Sequence, residues 1–246
     1  MRNEKELTKY IASSLLGDGS IIIDRRDYDK GGNACFEICQ IDEHKDYLEW
    51  LKEKLEPLTS ATLVVKPSNK EPKEVTFPNG ITSICKVQYR LRTSRHPFFN
   101  KFRDRLYATG RKTVDMHYFT LFDWETLAMW YMEDGYISSP IGTHNRTGYK
   151  YQYSMAGLCT QGFTQAENFV LKKFLKAKFN LEFNLQRVKY PSGIKYKLVA
   201  KHDNIEKFID GVGKYVLPSF AYKLEYKHGR VSPKDDPSEI EGEDIV

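Results

Sequence analysis

Two nine-residue blocks decide the fold: IASSLLGDG at residues 11–19 and LAMWYMEDG at residues 127–135. They begin 116 residues apart, and each one ends a run in which apolar residues recur at the spacing of an amphipathic helix. Each block is followed by a short β-branched or aromatic stretch, at 20–23 and at 136–137. The sequence therefore predicts the order helix, Asp-Gly pair and strand twice in one chain.

The elements downstream of each block repeat as well: a further strand, an amphipathic helix, two strands and a closing helix. We place these elements at 34–41, 47–55, 62–66, 84–92 and 97–108 in the first half, and at 151–160, 164–175, 183–188, 194–199 and 204–215 in the second. The sequence thus predicts an α+β fold of two pseudo-symmetric αββαββα halves, joined near Met116. The predicted bounds are 1–114 and 115–230, with a tail at 231–246.

Composition limits the class of protein. Of the 246 residues 40% are hydrophobic, so the chain is long and apolar enough to bury a core. No apolar run is long enough for a membrane helix, and the N-terminus, with Arg2, Glu4 and Lys5, does not resemble a signal peptide. We therefore expect a soluble intracellular protein. The four cysteines lack CxxC spacing, which argues against a disulfide framework and against a structural zinc site.

Charge is distributed unevenly along the chain. The net charge is +5, but residues 231–246 contain six acidic residues and one basic residue, Lys234, so the part before them carries +10. A body this positive favours a polyanionic partner, and nucleic acid is the most common one. The acidic tail, which also contains Pro233 and Pro237, is predicted to be disordered.

Two predicted strands alternate between apolar and polar residues, which gives each of them one apolar face and one cationic face. The polar positions are Lys86, Gln88, Arg90 and Arg92 in the first half and Lys195 and Lys197 in the second. Guanidinium and amide groups on such a face can read base edges in the major groove of DNA, and ammonium groups can meet phosphates. For one strand alone, a solvated sheet face is the simpler interpretation. Equivalent faces in both halves favour nucleic-acid binding.

The aspartates Asp18 and Asp134 stand at the predicted ends of the two block helices. An Asp-Gly pair at this position usually marks a cap, with the glycine in the left-handed conformation. An aspartate there also faces the negative end of the helix dipole, which is unfavourable without a compensating cation. If the helices pack side by side, the two carboxylates approach each other and favour a shared proton or a bound metal such as Mg²⁺. The blocks supply small residues for this packing: Ala12, Ser13, Ser14 and Ala128.

These blocks resemble the two motifs of single-chain LAGLIDADG homing endonucleases. Alanine at the second position, aspartate at the eighth and glycine at the ninth match in both copies, whereas Ser14 at the fourth position and Met129 at the third depart from the pattern. The resemblance covers residues 1–230. It implies a monomer whose two antiparallel sheets form a DNA-binding saddle around central motif helices. It also implies cleavage of both strands of a long asymmetric double-stranded site with Mg²⁺ or Mn²⁺, leaving short 3′ overhangs.

The resemblance also implies roles for individual residues. Asp18 and Asp134 would bind the metal ions, together with the backbone carbonyls of Gly17 and Glu133. The residues expected around the attacking water are Lys112, Lys223, Gln40 and Gln161. The residues expected to contact DNA are Arg25, Arg26, Lys86, Gln88, Arg90, Arg92, Arg146, Lys150, Arg187, Lys189, Lys195 and Lys197. For Lys112 and Lys223, an ordinary solvated or phosphate-binding role remains open.

Two alternative functions remain open at this point. One is an RNA-binding maturase that acts on its own intron RNA, and the other is a DNA-binding regulator without nuclease activity. A protein that only binds nucleic acid has no physical need for paired aspartates at metal-binding positions, so Asp18 and Asp134 favour cleavage. The six histidines do not cluster and there is no P-loop, which argues against a zinc enzyme and against the use of ATP.

Overall fold

The computed structural model describes residues 2–23, 31–56, 59–76, 80 and 82–230. Its α-helices are α1 (Arg2–Ser14), α2 (Lys45–Leu55), α3 (Pro97–Leu106), α4 (Trp124–Asp134), α5 (Gln165–Phe179) and α6 (His202–Gly213). The strands of the N-terminal half are β1 (Ser20–Ile22), β2 (Cys35–Ile41), β3 (Ala61–Val65), β4 (Lys73–Thr76), β5 (Thr82–Cys85) and β6 (Gln88–Thr93). Those of the C-terminal half are β7 (Gly135–Ser138), β8 (Ile141–Thr143), β9 (Lys150–Tyr153), β10 (Met155–Leu158), β11 (Phe183–Tyr190), β12 (Gly193–Ala200) and β13 (His228–Arg230).

Two four-stranded antiparallel sheets carry the repeat. Their strand orders are β1-β2-β6-β3 and β7-β10-β12-β11, so each strand of one sheet has its counterpart at the same place in the other. Together with the helices this confirms the predicted α+β fold of two αββαββα halves. Each half also contains a smaller sheet that the prediction did not include: the hairpin β4-β5 in the first half and the three-stranded sheet β13-β9-β8 in the second.

Each large sheet has one buried face and one more exposed face, as alternation predicts. In β6, Leu91 and Thr93 are buried, whereas Arg92 between them is exposed. Helix α2 covers the buried face with the apolar residues that its sequence spacing predicts, Tyr47, Leu48, Leu51 and Leu55. Helix α4 is buried along most of its length, which is what an apolar helix at the centre of two half-domains requires.

Two predicted strands are wrong because each is broken in the structure. The stretch predicted at 151–160 divides at Ser154, whose buried hydroxyl donates to the carbonyl of Lys227 at 3.0 Å and accepts from its N–H at 2.7 Å. The stretch predicted at 84–92 divides after Cys85, because β5 pairs with β4 while β6 pairs with β2 and β3. Between them, the carbonyl of Val87 accepts from the N–H of Asp42.

The central helices α1 and α4 pack against each other through small residues and polar contacts. Ala12, Ser13 and Ala128 are buried, and the Ser13 hydroxyl donates to the carbonyl of Thr126 at 2.6 Å. At the opposite end from the aspartates, the Lys9 ammonium group donates to Asp123 at 2.7 Å and to Glu125 at 3.1 Å. These bonds join the two halves along the helix pair.

Among the helices of the described residues, none combines the length and apolar character needed to cross a membrane.

Candidate catalytic centre

Asp18 and Asp134 lie at the C-terminal ends of the two central helices, but they leave these helices differently. Asp134 is the last residue of α4, as predicted. Helix α1 ends at Ser14, and the chain then tightens, because the N–H groups of Leu16 and Gly17 bind carbonyls three residues earlier. Asp18 therefore lies in a turn beyond α1, and the prediction that it occupies the last helical turn is wrong.

The glycine after each aspartate is needed for space rather than for a left-handed backbone. Gly135 has φ −80°, and neither it nor Gly19 is among the described glycines with positive φ. A Cβ atom at Gly135 would overlap the carbonyl of Tyr131, and one at Gly19 would lie 2.8 Å from the carbonyl of Ser14. The interpretation of these pairs as left-handed caps is therefore wrong. The glycines let the chain leave each helix close to its own last turn.

The charge of Asp18 acts on the carboxyl group of Asp134. Burial raises the pKa of Asp134, and the charge of Asp18 raises it further, to about 7. Burial also raises the pKa of Asp18, although its side chain keeps one side open to solvent. A second negative charge near the buried Asp134 favours a cation beside the two carboxyl groups.

Two lysines flank the carboxylates, one from each half. The Lys112 ammonium group donates to the carbonyls of Gly17 at 2.6 Å and Gly19 at 3.0 Å. Lys223 is buried in the 3-10 segment Pro218–Leu224 and donates to the carbonyl of Met132 at 2.6 Å. Burial lowers the pKa of both lysines, while the nearby carboxylates act in the opposite direction. The structure thus brings both predicted lysines to the aspartates.

The side chain of Glu133 is a site residue that the sequence analysis missed, since only its carbonyl was considered. Its carboxylate accepts the backbone N–H of Asp18 at 2.7 Å and the hydroxyl of buried Tyr47. Burial, and then the charge of Asp18, raise the pKa of Glu133 to about 8. The sequence did contain a signal for this role: the seventh position of the block is glutamate in the second copy, Glu133, and glycine in the first, Gly17. A Cβ atom at Gly17 would overlap Glu133.

The two predicted glutamines are not equivalent. Gln40 donates to the Asp18 carboxylate at 2.7 Å. Strand pairing aligns Ser20 with Glu37 in the first half and Tyr136 with Gly157 in the second, and Ser20 and Tyr136 each follow their aspartate by two residues. Gln40 lies three residues after Glu37. The residue three after Gly157 is Thr160, so Thr160 and not Gln161 corresponds to Gln40. Thr160 donates instead to Asn168, and Gln161 contacts the thiol of Cys159.

Hard oxygen donors of this centre fit a magnesium-like cation. The described residues contain no cluster of three or more His, Cys, Asp or Glu side chains arranged around a metal position. A cation at Asp18 and Asp134 would therefore complete its coordination with backbone carbonyls, water or phosphate oxygens. The carbonyl of Gly17 already accepts from Lys112, and its second lone pair can still bind a cation.

The basic face of the N-terminal sheet is partly neutralised. Arg92 donates to Glu37 at 2.6 Å, and Arg90 lies 3.7 Å from the same carboxylate on the same face. Gln88 accepts from Lys66, at the end of β3. Lys86 lies in the break between β5 and β6, where it forms an ion pair with Glu43 rather than continuing the predicted alternation.

The basic residues of the C-terminal sheet divide between its two faces. Lys197 lies 4.2 Å from the ring centroid of Tyr136 and shares a face with Lys195. Residues directly opposite in antiparallel strands share a face, so Gln186, opposite Lys197, joins them. Arg187 and Lys189 pair with Tyr196 and Ile194 and point to the other face, whereas strand alternation would have identified Asn184 and Gln186.

The remaining predicted DNA contacts are peripheral. Arg146 is exposed in the turn between β8 and β9, and Lys150 begins β9, so both lie on the predicted hairpin. Arg25 and Arg26 lie outside the described residues.

Known proteins resemble this chain in sequence. The uncharacterized protein MJ1098 of Methanocaldococcus jannaschii is 30% identical over 140 residues, which are 57% of this chain and 49% of that protein. The chain thus spans about half the length of this relative. The cytochrome b mRNA maturase bI2 of Debaryomyces hansenii is 25% identical over 223 residues, which are 90% of this chain and 74% of the maturase.

Solved structures share the fold. The homing endonuclease I-WcaI bound to its DNA recognition sequence superposes with a TM-score of 0.66 at 21% identity, over 91% of this chain and 87% of that chain. The I-SmaMI LAGLIDADG homing endonuclease bound to cleaved DNA gives a TM-score of 0.51 at 14% identity, over 90% and 86%. A sequence profile of the LAGLIDADG DNA endonuclease family matches residues 9–208. The chain therefore belongs to the LAGLIDADG DNA endonuclease family.

Proposed function

We propose that this protein is a site-specific endonuclease that hydrolyses both strands of a long asymmetric DNA duplex with Mg²⁺ or Mn²⁺. It acts as a monomer, and it leaves short 3′ overhangs by analogy with its family. The observation that carries the proposal is the pairing of Asp18 and Asp134 at the ends of the central helices, between half-buried Lys112 and buried Lys223. The unlike surfaces of the two halves suit an asymmetric site better than a palindrome.

The residues divide the work of phosphodiester hydrolysis. A bound divalent cation would lower the pKa of a coordinated water and stabilise charge on the leaving 3′ oxygen. Asp18 and Asp134 would hold the cation, and the backbone carbonyls of Gly17 and Glu133 would help. Lys112 and Lys223 place positive charge beside these carboxylates, where the anionic phosphate approaches. Gln40 orients Asp18 through its hydrogen bond and is near enough to hold water.

The basic sheet faces would position the duplex over this centre. Arg90 and Gln88 in the first sheet, with Lys195 and Lys197 in the second, offer donors to base edges and phosphates. Such contacts differ between the halves, and one chain therefore reads two different half-sites. Arg187 and Lys189 are exposed on the opposite face of the hairpin β11-β12, and a contact from them would be limited to the phosphate backbone.

The test is to incubate the protein with fragmented DNA from a complex genome and Mg²⁺, and then to sequence all new ends. The Asp18→Asn variant is the control, because it removes a carboxylate and leaves the basic faces intact. Ends that accumulate at one asymmetric site with the wild type alone are the expected result. Binding to DNA without new ends, in Mg²⁺ and in Mn²⁺, would overturn the proposal.

The second candidate is an RNA maturase, which the likeness to the Debaryomyces hansenii maturase over 90% of this chain favours. The same basic faces would then bind structured RNA, and the paired aspartates would serve no chemical purpose. Splicing of the RNA of a group of candidate introns, assayed with wild type and with the Asp18→Asn variant, separates the two functions. Equal splicing by both proteins, with no DNA cleavage by either, would favour the maturase. A DNA-binding regulator would show neither activity.

A further inference from the structure

Glu133 connects the two halves at the catalytic centre. It lies on α4 of the C-terminal half, but both carboxylate oxygens bind groups of the N-terminal half. Oε2 accepts the backbone N–H of Asp18 at 2.7 Å, and Oε1 accepts the hydroxyl of Tyr47 from α2. Glu133 and Tyr47 are both buried, and a buried carboxylate is stable only where such partners hold it. The two bonds fix the Asp18 peptide against α4.

The other half has no equivalent bond. The block position of Glu133 is occupied by Gly17 in the first copy, and glycine has no side chain to return the contact. The register position of Gln40, which binds the Asp18 carboxylate, is occupied by Thr160, whose hydroxyl turns to Asn168. Within the described residues, side chains bind both the peptide and the carboxylate of Asp18, whereas no side-chain hydrogen bond reaches the carboxylate of Asp134.

We propose that Glu133 is a positioning residue for Asp18, and that it makes the two half-sites unequal. The strand hydrolysed at the Asp18 half-site is then cut before the strand hydrolysed at the Asp134 half-site. The reason is preorganisation: a carboxylate whose backbone and oxygen are already held loses less freedom when it binds a cation. This inference rests on the proposed endonuclease function and adds the order in which the strands are cut.

Strand order is measured on the target duplex that the end-sequencing experiment recovers, with a different dye on each strand. The wild type is expected to accumulate a nicked intermediate broken in one strand. The Gln40→Ala variant identifies the Asp18 strand, because Gln40 binds that carboxylate directly. The Glu133→Ala variant should slow the same strand by about 10–100-fold and abolish the order, as loss of an outer-shell partner does. Tyr47→Phe should slow that strand less, because it frees only one oxygen of Glu133.

Two variants separate positioning from general support of the fold. Glu133→Gln keeps a carbonyl oxygen for the Asp18 N–H, and it should restore the strand order that Glu133→Ala loses. Ser13→Ala removes another buried bond between the same two helices, to the carbonyl of Thr126. It should lower the melting temperature without changing the order of strand cleavage.

A second readout needs neither metal nor DNA. Hydrogen exchange of the Asp18 amide, followed by NMR of the isotope-labelled full chain, should be slow in the wild type, in Glu133→Gln and in Ser13→Ala. It should be fast in Glu133→Ala, because the amide loses its acceptor. Fast exchange in the wild type, or slow exchange in Glu133→Ala, would overturn the positioning role.

The outcomes of the two readouts are distinguishable. Absence of cleavage by the wild type would defeat the proposed function, while amide exchange would still decide the positioning role. Concerted cutting of both strands by the wild type would overturn the proposed order. The order would also be overturned if Glu133→Ala slowed the cutting of both strands equally. It would be overturned, too, if the wild type first cut the strand that Gln40→Ala leaves unaffected.

Discussion

In the N-terminal half, the aspartate Asp18 lies in a turn beyond its helix and is held by two side chains, Gln40 on its carboxylate and Glu133 on its N–H. In the C-terminal half, Asp134 is the last residue of α4 and relies on the helix itself. The lysines differ as well. Lys112 binds the carbonyls on either side of Asp18, whereas Lys223 binds carbonyls that precede Asp134 within the helix.

This difference shows at which level the duplication is preserved. Strand order is the same in both halves, and in both an Asp-Gly pair lies where the central helix gives way to the first strand, because packing of a sheet against helices permits few arrangements. Hydrogen bonds to the aspartates depend on single side chains, and these have diverged. The repeated fold therefore provides two aspartate positions with different surroundings, and under the proposed function one chain would treat the two DNA strands differently.

The largest effect on cleavage is expected from Asp18→Asn and Asp134→Asn. Each change removes a proposed metal ligand. The cleavage rate should therefore fall by more than the factor of about 10–100 that is expected when an outer-shell partner of a ligand is removed. Conversion of supercoiled plasmid bearing the target to linear product measures it. Binding in a gel-shift assay should be retained, because neither residue lies on a basic sheet face.

Stability provides the control for these two variants. Asp18→Asn removes the charge that helps to raise the pKa of Asp134, and Asp134→Asn removes a carboxyl group that burial disfavours in its charged form, so the melting temperature should stay the same or rise. Linear product formed at the wild-type rate by both variants would contradict the metal-binding role. Loss of cleavage together with a lower melting temperature would indicate a structural cause.

The next largest effect is expected from substituting the two lysines. Lys112→Met and Lys223→Met should both reduce cleavage, but Lys223→Met should destabilise the protein more, since Lys223 is the more deeply buried. Its loss leaves the carbonyl of Met132 unpaired, at a cost of about 1–3 kcal/mol in the free energy of unfolding. Urea denaturation of the two variants and the wild type measures the difference. Equal destabilisation would show that the lysines support their halves alike.

The sequence predicted the parts of this picture that depend on periodicity and repetition. The order of helices and strands along the chain, the central helices and the positions of both aspartates and both lysines follow from patterns that recur in the two blocks and their surroundings. Contacts between the halves could not be predicted in this way. Tyr47 and Glu133 are 86 residues apart, and nothing in either local sequence indicates that their side chains meet.

The predicted equivalence of Gln161 with Gln40 was wrong for a related reason. Sequence alone does not specify strand register to the single residue, and a shift by one residue turns a side chain to the opposite face. The same effect separates Arg187 and Lys189 from Lys195 and Lys197. Ends of elements, which depend on local turns, were also wrong at Ser14 and Ser154.

A smaller effect is expected on DNA binding, where the sheets differ by the acidic residue Glu37. Arg90→Ala should weaken binding by about 1–3 kcal/mol and relax sequence preference if Arg90 reads a base. If it contacts a phosphate, the change should instead reduce the salt dependence of binding. Lys197→Ala is the matched change in the other sheet, at the same place in the strand order, where Gly157 replaces Glu37.

Glu37→Gln extends this comparison. The substitution frees the guanidinium groups of Arg90 and Arg92, so it should tighten binding and steepen its salt dependence. Affinity measured at several salt concentrations checks both effects. Weaker binding by Glu37→Gln would mean that the carboxylate holds the arginines in the orientation that DNA requires.

The smallest effect on cleavage is expected from Lys9→Met, at the end of the helix pair away from the aspartates. Burial raises the pKa of Asp123 and Glu125, but hydrogen bonds from Lys9, with further ones from Thr126 to Asp123 and from Lys54 to Glu125, outweigh burial and lower the pKa of both. A lowered pKa means that these groups stabilise the fold above the ordinary carboxyl pKa of about 4, and that this contribution is lost as the pH falls through the folded value. In Lys9→Met, the contribution of Lys9 is lost, so the pKa of both carboxyls should rise back towards the ordinary value and less stability should depend on their ionisation. The melting temperature, measured from pH 6 to pH 3, should therefore fall less on acidification in Lys9→Met than in the wild type. Cleavage at neutral pH should stay within a factor of about two, because Lys9 lies at the end of the helix pair away from the aspartates. Parallel melting curves for the two proteins would show that the Lys9 bonds do not control the acid stability of the interface between the halves.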